Sequence, residues 1–114
     1  MVDRAALEQA FTQRAMPGVV RLLEEHVTLG TAVRRPRGGV PDVRLLAVEV
    51  DDDIAYVDAC EIDDLVVYEI NGEVVDDRVL TVRWVAQLRR SGGQWKWDAL
   101  EVLAESDGRV PCGL

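Results

Sequence analysis

Two stretches near the C-terminal end, Val79 to Leu88 and Trp95 to Ala104, read as long strands joined by Ser91-Gly92-Gly93. Along the first, Leu80, Val82, Trp84, Ala86 and Leu88 fall on one side, while Thr81, Arg83, Gln87 and Arg89 mostly fall on the other. A period of two sustained over that length demands a sheet with one packed face and one wet face. Trp95 and Trp97 place large apolar area on a single face of the neighbouring strand, which fixes register, because a slip of one residue turns both rings outward.

Upstream the period is helical. Asp3 is placed to cap a helix running to about Ala15, with Val2 stapling against Leu7 and with Leu7, Ala10 and Phe11 as the apolar seam. Pro17 suits the first turn of a second helix, which Gly30 ends; Val19, Leu22, Leu23, His26 and Val27 form its expected buried stripe. After Gly30 the period becomes two. Thr31 to Arg35 reads as a short edge strand, followed by Val43 to Val50, a turn at Asp51-Asp52-Asp53, a strand from Ile54 to Ile62, a break at Asp63-Asp64, and Leu65 to Ile70 leading into the hairpin signal Asn71-Gly72. Val74 and Val75 leave that turn, and Asp76-Asp77 marks a bulge. The 114 residues suit one α+β domain spanning 1–114, with two N-terminal helices packed on a curved antiparallel sheet of about six strands.

Charge and thiol content narrow the function. Thirteen Lys and Arg against 21 Asp and Glu give a net charge of -8, which repels nucleic acid over most of the surface. Arg34, Arg35 and Arg37 are a local exception large enough to hold a phosphate, although a solvated loop or edge-strand rim is the favoured reading, since no aromatic residues interleave. No apolar run reaches the roughly 20 residues of a bilayer crossing, so no membrane span is expected. The polar start, with acidic residues early, carries no signal-peptide pattern. Cys60 and Cys112 lack metal-ligand spacing, and the sole histidine, His26, lies far upstream, so neither a metal nor a cofactor is expected. The residues alone leave the two cysteines either bonded to each other or as separate thiols. A bond implies the cell envelope or secretion, and free thiols imply the cytoplasm.

Two helices, the curved sheet and the segment Gly93-Gln94-Trp95-Lys96-Trp97 together resemble the nuclear transport factor 2-like superfamily of cone-shaped, cystatin-like α+β folds. More narrowly the chain is similar to small actinobacterial members with a strand like Asp58-Ala59-Cys60-Glu61-Ile62-Asp63-Asp64, a turn like Gly72 to Asp77 and a cysteine near the end, here Cys112. The resemblance implies a sheet curled into a conical cavity, used for a small apolar ligand or left filled, and homodimers formed through the outer sheet face. It also implies a Cys60–Cys112 disulfide acting as a clasp that holds the tail against the sheet. It implies no activity, because this superfold hosts isomerases, dehydratases, cyclases, transport factors and inert scaffolds.

An enzyme in such a cone needs an acid–base pair in its cavity. Tyr56, Asp58, Cys60 and Ile62 alternate to one side of their strand, and His26 sits on the apolar stripe of its helix, so a His26, Asp58 and Tyr56 grouping could abstract a proton beside a carbonyl. Asp58 or His26 would be the base, and Tyr56 the donor to the oxyanion. If Ala55, Val57 and Ala59 pack inward instead, Tyr56 and Asp58 lie outside. Trp84, Trp95 and Trp97 either line a ligand pocket or fill core and interface. The acidic turns lack the spacing of a calcium loop, and Ser91 and Ser106 lack a nucleophile elbow. The favoured expectation is a non-catalytic binding or scaffold domain, dimeric through the sheet with Val79, Val85 and spare tryptophans as contacts. The alternative is an isomerase- or dehydratase-type enzyme or carrier using the cavity, and a weaker third is an envelope-associated domain that docks a partner by its sheet edge.

Overall fold

The computed structural model describes residues 3–34 and 42–112, so the staple at Val2 and the basic residues Arg35 and Arg37 lie outside the described residues. Two helices, α1 (Arg4–Ala10) and α2 (Met16–Leu29), precede seven strands: β1 (Thr31–Arg34), β2 (Asp42–Asp51), β3 (Ile54–Asp63), β4 (Val66–Glu69), β5 (Val74–Asp76), β6 (Leu80–Ser91) and β7 (Gln94–Asp107). The fold is α+β with antiparallel sheets throughout, and the strands divide into a large sheet ordered β2-β3-β6-β7 and a small one ordered β1-β4-β5. A single sheet of about six strands is therefore replaced by two. The chain leaves the large sheet at Asp63-Asp64, makes the β4–β5 hairpin against β1, and returns as β6 beside β3.

Local chemistry explains where the elements stop. Asp3 caps α1 by accepting from the Ala6 amide at 3.1 Å. The helix ends at Ala10, short of the expected Ala15, because Phe11 turns extended and bridges Trp97 in parallel, while the Thr12 amide donates to the Trp97 carbonyl at 2.9 Å. The exposed edge of β7 thus satisfies backbone groups that a longer helix would have used. Pro17 sits in the first turn of α2, and Gly30 closes it at φ 67°, a left-handed cap that favours glycine. Gly92 and Gly93, at φ 59° and 78°, make the tight turn between the two long strands.

The expected stripe of α2 is a correction. Met16 and Val20 are its buried residues, whereas Leu22, Leu23, Val27 and Leu29 are exposed. The helix is anchored through its first turns, and its outer half carries apolar side chains into solvent.

The core belongs to one face of the large sheet. Ala59, Val82, Trp84 and Ala86 are buried together, with Val57, Leu80, Leu88 and Trp97 packed against them. Trp84 meets Trp97 edge-on, with centroids 5.9 Å apart, and both rings belong to the core cluster. Trp95 is 36% exposed under the Arg90 guanidinium, which lies 5.3 Å from its ring centroid.

Cys60 and Cys112 are disulfide-bonded, with Cα atoms 5.9 Å apart. The bond joins the middle of β3 to the tail. The tail is also held by the Thr81 hydroxyl, which donates to the Gly108 carbonyl at 2.7 Å and accepts from the Val110 amide at 3.0 Å. Arg109 adds an ion pair to Asp64 at 3.3 Å. The clasp closes a loop of 52 positions. In the chain-entropy account a loop of this length stabilises by at most about 4 kcal/mol. Cys112→Ser is expected to lower the unfolding free energy measured by urea titration by an amount approaching that figure; an unchanged free energy would show that the polar contacts hold the tail alone.

Candidate binding groove

Register across the large sheet sorts its side chains into two faces, because directly paired residues point the same way. On one face run Val50, Ala55, Leu88 and Trp97; then Val48, Val57, Ala86 and Leu100; then Leu45, Ala59, Trp84 and Val102. On the other run Glu49, Tyr56, Gln87 and Ala99, followed by Ala47, Asp58, Val85 and Glu101. The first face is apolar over these three rows, and its next row brings Glu61 and Glu105 to either side of Val82. The second holds a groove of about 410 Å³ lined by those last eight residues together with Val57, Ala86 and Leu100.

Small side chains make the depression: Ala47, Val85 and Ala99 form a low floor, while Glu49, Tyr56 and Glu101 rise around it. Bulges at Leu45/Ala47 in β2 and at Gln87/Leu88 in the β6–β7 pairing bend the sheet on either side of this floor. At one end Arg83 grips Asp58, with Nη2 to Oδ2 at 2.8 Å and Nε to Oδ1 at 3.3 Å. The guanidinium hydrogen bond holds the Asp58 carboxyl below its ordinary range, and the carboxylate in turn raises Arg83. A carboxylate so stabilised is a poor proton acceptor at neutral pH.

Beyond the other end lies Asp98, only 2% exposed and set in the second bulge. It accepts from the Thr12 hydroxyl at 2.7 Å, Gln87 Nε2 at 3.0 Å, Arg89 Nε at 3.2 Å and Arg14 Nη1 at 3.3 Å. The Thr12 bond, followed by those of Arg89 and the charge of Arg14, lowers the Asp98 pKa against the cost of burial. Asp98 therefore ties the link between the helices to the sheet, and through Gln87 it fixes one wall of the groove.

The sequence-level candidates separate. Ala55 and Ala59 are buried and Val57 packs on the core, so Tyr56 and Asp58 point to the opposite, open face, where both line the groove. His26 does not join them: its Nδ1 lies 2.8 Å from the Thr31 hydroxyl, where α2 meets β1, and it is not among the lining residues. The three are thus not brought together. Arg34 stacks over Tyr68 at 5.3 Å. Among the described residues no group of three or more His, Cys, Asp or Glu is placed to hold a metal, and no helix is long and apolar enough to cross a membrane. Sequence reasoning missed Glu49, Glu101 and Gln87 as groove residues and Arg83 as the partner of Asp58. Each sits on the polar side of an alternating strand, but only register across four strands shows that they converge.

No protein-family pattern matches the chain, and no curated protein is similar to it at a significant level. Among solved structures it is similar to the crystal structure of the intermembrane space region of chloroplast protein ARC6. The TM-score is 0.68 with 18% identity, over 86% of this chain and 75% of that one. At that identity the likeness concerns the fold alone.

Because folding lowers the Asp98 pKa, the charged form stabilises the native state above the ordinary value of 3.8, and this contribution is lost as pH falls through the depressed value. Asp98→Asn is expected to cost roughly 2 kcal/mol at neutral pH and progressively less in acid. Urea titrations at neutral pH and near pH ~2 check this; an equal loss at both would refute the charge-based role.

Proposed function

We propose that the chain is a non-catalytic binding and scaffold domain of the nuclear transport factor 2-like kind, dimerising through the apolar face of its large sheet and leaving the grooved face for a ligand. The observation that carries this reading is that the core face of the large sheet leaves large apolar side chains uncovered at both of its margins.

These side chains sit where a second sheet could rest. Leu45, Val48 and Val50 on β2 and Leu100 and Val102 on β7 are 47% to 60% exposed, and they flank the packed middle of the same face. Val85, a contact expected from sequence together with Val79, does not serve this face, because it lines the groove on the other. A two-fold axis would place the same apolar columns of both copies in one interface.

The enzyme alternative keeps one supporting observation, that Tyr56 and Asp58 share the groove. Against it, Asp58 is held as a stabilised anion by Arg83, and His26 is engaged elsewhere.

Sedimentation equilibrium is expected to return twice the chain mass, and Val48→Glu or Leu100→Glu to raise the dimer dissociation constant about a hundredfold, since each buries an unpaired charge. A wild-type monomer at high concentration would overturn the reading.

A further inference from the structure

We propose that the tail from Gly108 to Cys112 is a redox-released strap: closed by the Cys60–Cys112 disulfide it roofs one end of the grooved face, and a dithiol reductant frees it and uncovers the sheet at Thr81. Its purpose rests on the reading of that face as the one left for a ligand. The release itself does not, and the dimer uses the opposite face.

Thr81 shows what the strap covers. It belongs to the grooved face, in the row Asp42, Ile62, Thr81 and Ser106, yet it is only 4% exposed, and both partners of its hydroxyl, the Gly108 carbonyl and the Val110 amide, lie in the tail. Between tail and sheet remains a cavity of about 400 Å³ whose walls include Arg83, Ala104, Ser106, Pro111 and Cys112, so the strap spans this end without filling it. Arg83 borders this cavity and its partner Asp58 borders the groove, so their ion pair stands between the two spaces. The other ties are the Gly108 amide on the Val79 carbonyl at 2.8 Å and Arg109 on Asp64 and Asp42 at 3.3 and 3.7 Å. Val110 and Pro111 stand exposed, and no apolar side chain of the strap is buried. Polar contacts of this kind add little each, so the covalent bond decides whether the strap stays.

Register also sets the direction of opening. Cys60 pairs with Arg44 on one side and Arg83 on the other, which places both side chains on its own face with Cβ atoms about 5 Å away. The acids nearby are engaged, Asp58 by Arg83 and Asp42 and Asp64 by Arg109. Two flanking guanidinium groups stabilise a thiolate at Cys60, which makes it the leaving sulfur. A thiolate of the dithiol attacks Cys112, which borders the cavity, forming a mixed disulfide there and expelling the Cys60 thiolate. The second thiol of the reductant then attacks the reductant's own sulfur in that mixed disulfide and expels Cys112. Two electrons and two protons pass to the cysteine pair, and the dithiol becomes a disulfide.

Reduction of the full chain with dithiothreitol, followed by hydrogen exchange and by NMR with a soluble nitroxide, tests the strap. The Gly108 and Val110 amides are expected to exchange about tenfold faster once reduced, and the Thr81 methyl to gain relaxation from the nitroxide, while the Ala59 and Trp84 amides stay protected. Unchanged exchange at Gly108 and Val110 would overturn the proposal by showing that the polar contacts suffice. Loss of protection across β3 and β6 would overturn it by showing that the bond holds the whole sheet. Glutathione is expected to leave its adduct on Cys112, and an adduct on Cys60 would overturn the choice of leaving sulfur. Arg44→Gln should slow reduction about threefold and Arg44→Lys restore it, with Glu73→Gln in the remote β4–β5 turn reduced like wild type; equal rates in all would overturn the same choice. A released strap on a protein that sediments as a monomer would overturn the dimer and leave the strap standing, and a fixed strap on a dimer would do the reverse.

Discussion

The pairing of Ala59 in β3 with Trp84 in β6 is the contact on which the rest depends. It sets the largest side chain of the sheet beside one of the smallest, and Ala59 is left with no exposed surface at all. With Ala86 two residues along, the small side chains make room for the indole to lie in the core and meet Trp97 at its edge. Every other placement follows from that register, since β2 is aligned on β3 and β7 on β6. A slip of one residue would exchange the faces, putting Tyr56, Asp58 and Arg83 into the core and the tryptophans into water.

Once the register is set, the two faces acquire different tasks. The apolar face closes its own centre but not its margins, where Leu45, Val48, Val50, Leu100 and Val102 stand exposed. The polar face is tied at both ends, by the Cys60–Cys112 clasp with Thr81 and by the Asp98 cluster with Thr12 and Arg14. Between these fixtures Ala47, Val85 and Ala99 sit low among Tyr56, Asp58 and Gln87, so the groove is a gap left by two independent attachments of the chain to one sheet face.

Much of this architecture was legible in the sequence where it depends on local chemistry. The alternation of β6 and β7, the strands β2 and β3, the Asp3 and Gly30 caps and the Asn71-Gly72 turn all reflect short-range preferences, and each is found where those preferences place it. What was not legible depends on partners far away in sequence. Phe11 belongs to a good helical seam, yet it leaves the helix because the β7 edge beside Trp97 offers its neighbour a backbone acceptor. The division into two sheets follows from β4 pairing with β1 and not with β3, a choice no periodicity encodes. Leu22 and Val27 carry the pattern of a buried helix face but are exposed, since amphipathicity states that a face needs cover without stating what covers it. The groove was least legible of all: Tyr56 and Asp58 were identifiable, but Glu49 and Glu101 join them only through register compounded across three strand pairs.

The central claim, that β3 and β6 align with Ala59 opposite Trp84, is tested most directly by cross-strand nuclear Overhauser effects between the backbone protons of these strands. The account predicts contacts linking Ala59 to Trp84 and Val57 to Ala86. Contacts linking Cys60 or Asp58 to Trp84 as the opposed residue would contradict it, and with it the assignment of both faces.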